Sequence, residues 1–133
     1  MLVYRYLSEE ELKSILANDK SNIGREFFTT ECKQFNSHKY KKGVKYLHFF
    51  KNKKDIKHIK PMKANSNKTY YICEFDIPFL KLLPHIGYGV YAGHGYDEYN
   101  KSVCEFIISV DKFDTKWLKN FEKDKEKTAS LEK

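Results

Sequence analysis

The spacing of apolar and polar positions changes several times along this chain, and each change predicts an element. LVYRY (residues 2–6) alternates with the period of a strand. In LSEEELKSILAN, residues Leu12, Ile15 and Leu16 make one helical stripe, Ser8 is a natural N-cap, and Glu11 three residues later completes a capping box. The helix should end near NDKSNIG, where Asn, Asp, Ser and Gly accumulate. EFFTTE predicts a short strand, KQFNSHKYKKG a polar connection with a helical turn, and VKYLHFF another strand. The lysine-rich 51–68 segment predicts a short helix stopped before Pro61, then a loop.

KTYYICEFDI is the clearest strand and ends at Pro78, after which PFLKLLPHIG makes a short apolar turn or helix. The loop YGVYAGHGYDEYNK leads into the late strand SVCEFIISV, where Phe106, Ile108 and Val110 share one face and Val103, Glu105, Ile107 and Ser109 the other. DTKWLKNFEKDKEK predicts a C-terminal helix capped by Asp114 or Thr115, and residues 128–133 should fray. Several strands with few, segregated helices predict an α+β fold in one domain over residues 1–127, with no Rossmann or P-loop glycine fingerprint.

At 41% hydrophobic and 16% aromatic, the chain can bury a genuine core. No apolar run approaches the roughly 20 residues that span a bilayer, and the N-terminus has no signal-peptide pattern, so the expectation is a cytoplasmic protein with no membrane partner. Cys32, Cys73 and Cys104 are scattered and form no CxxC pair, which predicts reduced thiols, with Cys73 and Cys104 packed as small apolar groups. The histidines are dispersed without ligand spacing, so no metal is expected. The net charge of +7 favours an anionic ligand or nucleic acid, although lysines scattered on a surface also serve only solvation.

The residues that could carry chemistry stand out against this background. Glu105 interrupts a run of β-branched and aromatic residues, so it is either an edge carboxylate or a group held on purpose by a rigid strand. Only Arg5 and Arg25 are arginine, and Arg5 lies mid-strand beside Tyr4; it serves a phosphate or carboxylate clamp, or a salt bridge to one of the many acids. Thr29 and Thr30 offer hydroxyls. His48 lies among aromatics, and Tyr46 and Phe50 on its face offer a stacking wall. Gly87, Gly89, Gly93 and Gly95 alternate with Tyr88, Tyr91, Tyr96 and Tyr99 in a long loop of the kind that grips a base or a nicotinamide ring.

Taken together, the strand and capped helix VYRYLSEEEL, the hydroxyls of FFTTE, the aromatic strand KYLHFF and the glutamate of VCEF resemble the ADP-ribosyltransferase superfamily, nearest to its nucleic-acid-modifying toxin branch. The resemblance covers the chain to about residue 113 and rests on arrangement more than on identity. It implies a small split β-sheet or sandwich-like core with few peripheral helices, and NAD as substrate in a cleft between two small sheets, with no metal. Glu105 would then be catalytic, Tyr4, Arg5, Thr29, Tyr46, His48 and Phe50 would line the NAD site, and Tyr88, Tyr91, Tyr96 and Tyr99 would meet the acceptor. Val103 stands where the arginine-modifying branch has a second Glu or Gln, which argues against arginine as acceptor. The acceptor and the oligomeric state are not legible.

Two further classes compete with this one. A non-catalytic nucleotide- or protein-binding module of the same fold predicts ligand binding without turnover. A small basic endoribonuclease toxin, using His48, His94, Arg5 and Glu105 for acid, base and phosphate contacts, predicts RNA cleavage without NAD.

Overall fold

In a computed structural model, residues 1–24, 28–36, 40–59, 69–84 and 105–124 are described. The N-terminal alternation does form a strand, β1 (Leu2–Ser8), with Val3 and Leu7 packed into one face of the molecule and Tyr6 into the other. Ser8 then caps α1 (Glu9–Leu16), its hydroxyl accepting the Glu11 N–H at 3.2 Å, and three glutamates in the first turn complement the helix dipole. Glu11 does not complete the predicted capping box; its carboxylate goes to Arg5 and to the Gly24 N–H instead. Leu12 and Ile15 bury against the sheet, worth roughly 1.5–3 kcal/mol each, while Leu16 at the helix end is exposed, so the apolar stripe is shorter than expected. Asn18, at φ 58°, turns the chain out of the helix, a conformation that asparagine tolerates.

The remaining elements are β2 (Thr29–Glu31), β3 (Lys45–Phe50), α2 (Lys53–Ile59), β4 (Tyr70–Asp76), β5 (Leu83–Pro84), β6 (Glu105–Ser109) and β7 (Leu118–Lys123). Among the described residues the seven strands belong to one antiparallel sheet, in the order β5-β6-β3-β1-β4-β7, with β2 added on β3. Helix α1 covers one face, around Val3, Leu7, Cys73 and Phe75; Ile56 of α2 packs on the other, against Tyr6, Phe50, Tyr70 and Ile72. The fold is therefore α+β as predicted, and among the described residues the strands form one sheet rather than the two of a sandwich.

The sheet forks. β1 pairs with β4 along its whole length, from Leu2↔Asp76 to Ser8↔Tyr70, yet meets β3 only at Tyr4↔Phe50. The rest of that edge of β3 is taken by β2, through Thr29↔Leu47, Thr30↔Tyr46 and Glu31↔Lys45. Phe28 sits at the fork with φ 55°, rare for a bulky residue, and its carbonyl accepts the His48 N–H at 3.0 Å. Gly24 closes the preceding loop at φ +77°, where an added Cβ would come within 2.9 Å of the Lys45 side chain and 3.0 Å of Leu47, so glycine is required both by conformation and by space.

One element departs from expectation outright. Residues 118–123 form β7 instead of a helix, because the open edge of β4 offers a row of unpaired backbone groups and β7 satisfies them from Tyr71↔Lys123 to Phe75↔Leu118, with a bulge at Glu74/Phe75. Asp114 does act as a cap, but only for one 3-10 turn at Thr115–Trp117. PFLKLLPHIG gives a 3-10 turn at Phe79–Lys81 and then β5, with Phe79, Leu80 and Leu83 exposed. The predicted helix end before Pro61, the loop carrying Tyr88, Tyr91, Tyr96 and Tyr99, together with Val103, Cys104 and the tail 128–133, lie outside the described residues. Among the described residues, no helix is long and apolar enough to cross a membrane.

Candidate functional site

Glu105 is not an edge residue. β6 lies between β3 and β5, and Glu105 is only 3% exposed. The register Phe50↔Glu105, His48↔Ile107 and Tyr46↔Ser109 puts Glu105 and His48 diagonally opposite on one face, within reach of each other. His48 Nδ1 lies 3.2 Å from Glu105 Oε2, and His48 Nε2 lies 2.8 Å from Thr30 Oγ1. In a neutral imidazole these partners correspond to Nδ1–H donating to the carboxylate and Nε2 accepting the Thr30 hydroxyl. Tyr40 completes the cluster. Its ring stacks on His48 (centroids 6.1 Å apart, planes at 24°), meets Tyr46 edge-on at 5.2 Å, and its hydroxyl bonds to Thr30.

Polarity within this cluster is graded. Glu105 and His48 are buried, whereas Thr30 and Tyr40 are half-buried, so a line of hydrogen bonds runs from the partly open hydroxyls to the enclosed carboxylate. Burial pushes the Tyr40 phenol up to about 12; Thr30, able to turn its hydroxyl toward a phenolate, pulls the other way, and the Glu105 carboxylate adds to the rise. A carboxylate, an imidazole and a hydroxyl in this order can move a proton at the Thr30 end while negative charge stays fixed behind it.

Arg5 belongs to the opposite side of the sheet. Side chains alternate, so Arg5 points with Val3 and Leu7 toward α1, where it is 1% exposed. Nε donates to Glu11 Oε2 at 2.9 Å, Nη1 to the carbonyls of Phe28 (2.7 Å) and His48 (3.2 Å), and Nη2 to Thr29 Oγ1 (3.1 Å) and Glu11 Oε1 (3.5 Å). The guanidinium thus fills the fork, supplying to the His48 carbonyl the donor that a continuing β1–β3 ladder would have provided. This is the salt-bridge alternative for Arg5, with its donors turned inward rather than toward a phosphate.

The residues singled out from the sequence therefore divide between two places. Tyr46, His48, Phe50 and Glu105 share a face, and Tyr4 joins their row through Tyr4↔Phe50↔Glu105, although its hydroxyl goes to Glu74 at 3.0 Å. Phe50 is wholly buried against Phe28 and is core rather than an exposed wall. Thr29 pairs with Leu47 and serves Arg5, whereas Thr30 pairs with Tyr46 and serves His48. Tyr40 is the member that sequence reasoning missed; an aromatic isolated in the polar stretch just ahead of an aromatic strand was the available signal. The tyrosine loop lies outside the described residues, and among those described no group of three His, Cys, Asp or Glu could hold a metal ion. No family model matches the chain, and neither a curated protein nor a solved structure does.

Proposed function

We propose that this chain is an ADP-ribosyltransferase-like protein that uses NAD as its donor substrate, with the reacting sugar placed at the Thr30–Tyr40 end of the cluster. The observation that carries the reading is Glu105: a buried carboxylate on an interior strand, directed through His48 onto a half-open hydroxyl at a forked sheet. Cleaving a glycosidic bond of the nicotinamide type builds positive charge on the ribose. A fixed carboxylate in a water-poor site, acting through His48, favours that charge as it develops and keeps the imidazole oriented toward the sugar. Tyr40 offers a ring face for the departing nicotinamide, Thr30 a hydroxyl for the ribose, and His48 holds the carboxylate in place. Arg5 acts behind the site, holding the His48 carbonyl, so phosphates would fall to lysines.

The test is nicotinamide release from NAD by wild type and by Glu105→Gln, followed by chromatography with the fold checked by circular dichroism. Release that drops about a hundredfold or more in Glu105→Gln, with the melting curve retained, supports transfer. No release by folded wild type at millimolar NAD sinks it.

One observation favours a second reading. His48 sits between a carboxylate and a hydroxyl, which is also how a general base for RNA cleavage is oriented. Cleavage of RNA without NAD that disappears in His48→Ala would replace the transferase reading.

A further inference from the structure

A second feature adjoins the cluster and has no part in the chemistry above. Where β3 begins and β6 ends, a cavity of about 500 Å³ is lined by Lys41, Val44, Tyr46, Leu80, Lys81, Leu83, Ile108, Ser109, Asp111 and Lys112. That volume falls within the range of small-ligand sites, about 300–1,000 Å³. Three lysines face one aspartate, and Lys20 adds its ammonium by donating to the Asp111 carbonyl at 3.3 Å. Among the described residues, none of Lys41, Lys81 and Lys112 has an ion-pair partner, in contrast to Lys13 and Lys53, which are bound to Glu9 and Glu122. Leu80 at 91% exposed and Leu83 at 49% stand at the same place, large apolar groups left in water.

We infer that this cavity is the acceptor subsite, and that it takes a single-stranded nucleic acid: phosphates against Lys41, Lys81 and Lys112, the apolar faces of bases against Leu80 and Leu83. For what becomes of the strand, the inference rests on the transferase reading; for binding, it does not. Lysine is a flexible point charge that neutralises a backbone without reading base edges, so recognition here tolerates sequence. A cavity with Ser109 and Tyr46 in its lining offers a nucleotide hydrogen-bond partners, which a bilayer's acyl chains do not use. The cavity also leads to the cluster. Tyr46 lines it, and its ring contacts Tyr40, which stacks on His48. Along β6, Ser109 and Glu105 are about 13 Å apart by strand rise, a gap that a short single strand bridges.

The experiment is fluorescence anisotropy with labelled oligothymidylate and oligouridylate of about twelve nucleotides, without NAD. Wild type is compared with Lys41→Ala/Lys81→Ala/Lys112→Ala and with the control Lys116→Ala/Lys119→Ala/Lys123→Ala, which removes the same charge from exposed positions near and on β7. The cavity triple should weaken binding about tenfold at 0.15 M salt and reduce the salt slope by about 2, the share of three phosphates on a single strand; the control should change it by about threefold at most. Leu80→Ser should weaken binding several-fold with an unchanged salt slope. Equal weakening by both triples would reduce the effect to net charge and overturn the assignment. So would unchanged oligonucleotide binding in the cavity triple, or binding confined to vesicles of anionic lipid. Site-specific oligonucleotide binding without any nicotinamide release would remove the transferase reading and leave the subsite; release without such binding would do the reverse.

Discussion

The two faces of the forked sheet each hold a buried charged cluster, and the two are built to opposite ends. On the α1 face, Arg5 is surrounded by Glu11, two backbone carbonyls and Thr29, and Glu11 in turn takes the Gly24 N–H. These bonds all close on the protein itself. On the other face, Glu105 and His48 are buried too, but their line of bonds runs out to Thr30 and Tyr40, which are half-buried. Burial of a charge therefore does not by itself mark a working site. A cluster anchored on a guanidinium and backbone carbonyls spends its charge on holding strands in place; one that runs out to half-buried hydroxyls carries polar groups toward the surface. The fork joins them, because the Arg5 guanidinium holds the carbonyl of the same His48 whose ring faces Glu105.

The largest effect should come from breaking the closed cluster. Arg5→Met leaves the Glu11 carboxylate buried without its guanidinium and takes one donor from each of the Phe28 and His48 carbonyls, and should cost about 3–5 kcal/mol, a fall in Tm of roughly 10 °C or more. Adding Glu11→Leu should recover part of that loss, because the stranded charge goes while the carbonyls still lack the guanidinium donors. Chemical denaturation of the single and double variants measures both shares. A change under about 1 kcal/mol for Arg5→Met would mean that the cluster is not closed, and would return Arg5 to the list of ligand-binding groups.

How far the sequence disclosed this follows from which forces are local. β1, α1, β3, β4 and β6 were readable because period, caps and β-branched runs act over a few residues. β7 was not: Trp117, Leu118 and Phe121 have helical spacing, and only the free edge of β4, distant in sequence, draws them into a strand. The same limit applies to the site. The oddness of Glu105 in its strand was visible, as was the shared face of Tyr46, His48 and Phe50. The side taken by Thr29 as against Thr30 depends on the pairing of β2 with β3, and a shift of one residue would exchange them. Tyr40 carried a local hint, an aromatic among polar residues, but its place against Tyr46 and His48 is a tertiary contact that the hint does not encode.

That one-residue distinction yields the second prediction. Thr29→Val removes an acceptor from a buried guanidinium and should cost about 1–2 kcal/mol in stability while leaving turnover near wild type. Thr30→Val removes a partner of the His48 ring from a site as buried as that of Thr29; stability should fall by a similar amount, while nicotinamide release falls about tenfold. Paired denaturant midpoints and turnover rates decide it. If the two valines lower turnover alike, the division between a closed and an open face does not hold.

The smallest effect tests the open end by titration. Burial raises the Tyr40 phenol from its ordinary value near 10 to about 12, so the folded protein holds that proton more tightly than the unfolded chain does. The sign follows: the contribution to stability is complete below about pH 10 and is lost as pH climbs through about 12. Glu105 favours the protonated phenol as well, since a phenolate would face its carboxylate across the cluster. Tyr40→Phe should therefore remove one late step from the near-ultraviolet phenolate titration, and the difference between wild type and variant should rise near pH 12 and not near 10. Glu105→Gln should move that step toward lower pH, because one of the causes of the rise has gone. A step near 10 that is indifferent to Glu105 would place Tyr40 in water, away from the carboxylate, and the line of bonds from solvent to Glu105 would lose its outer end.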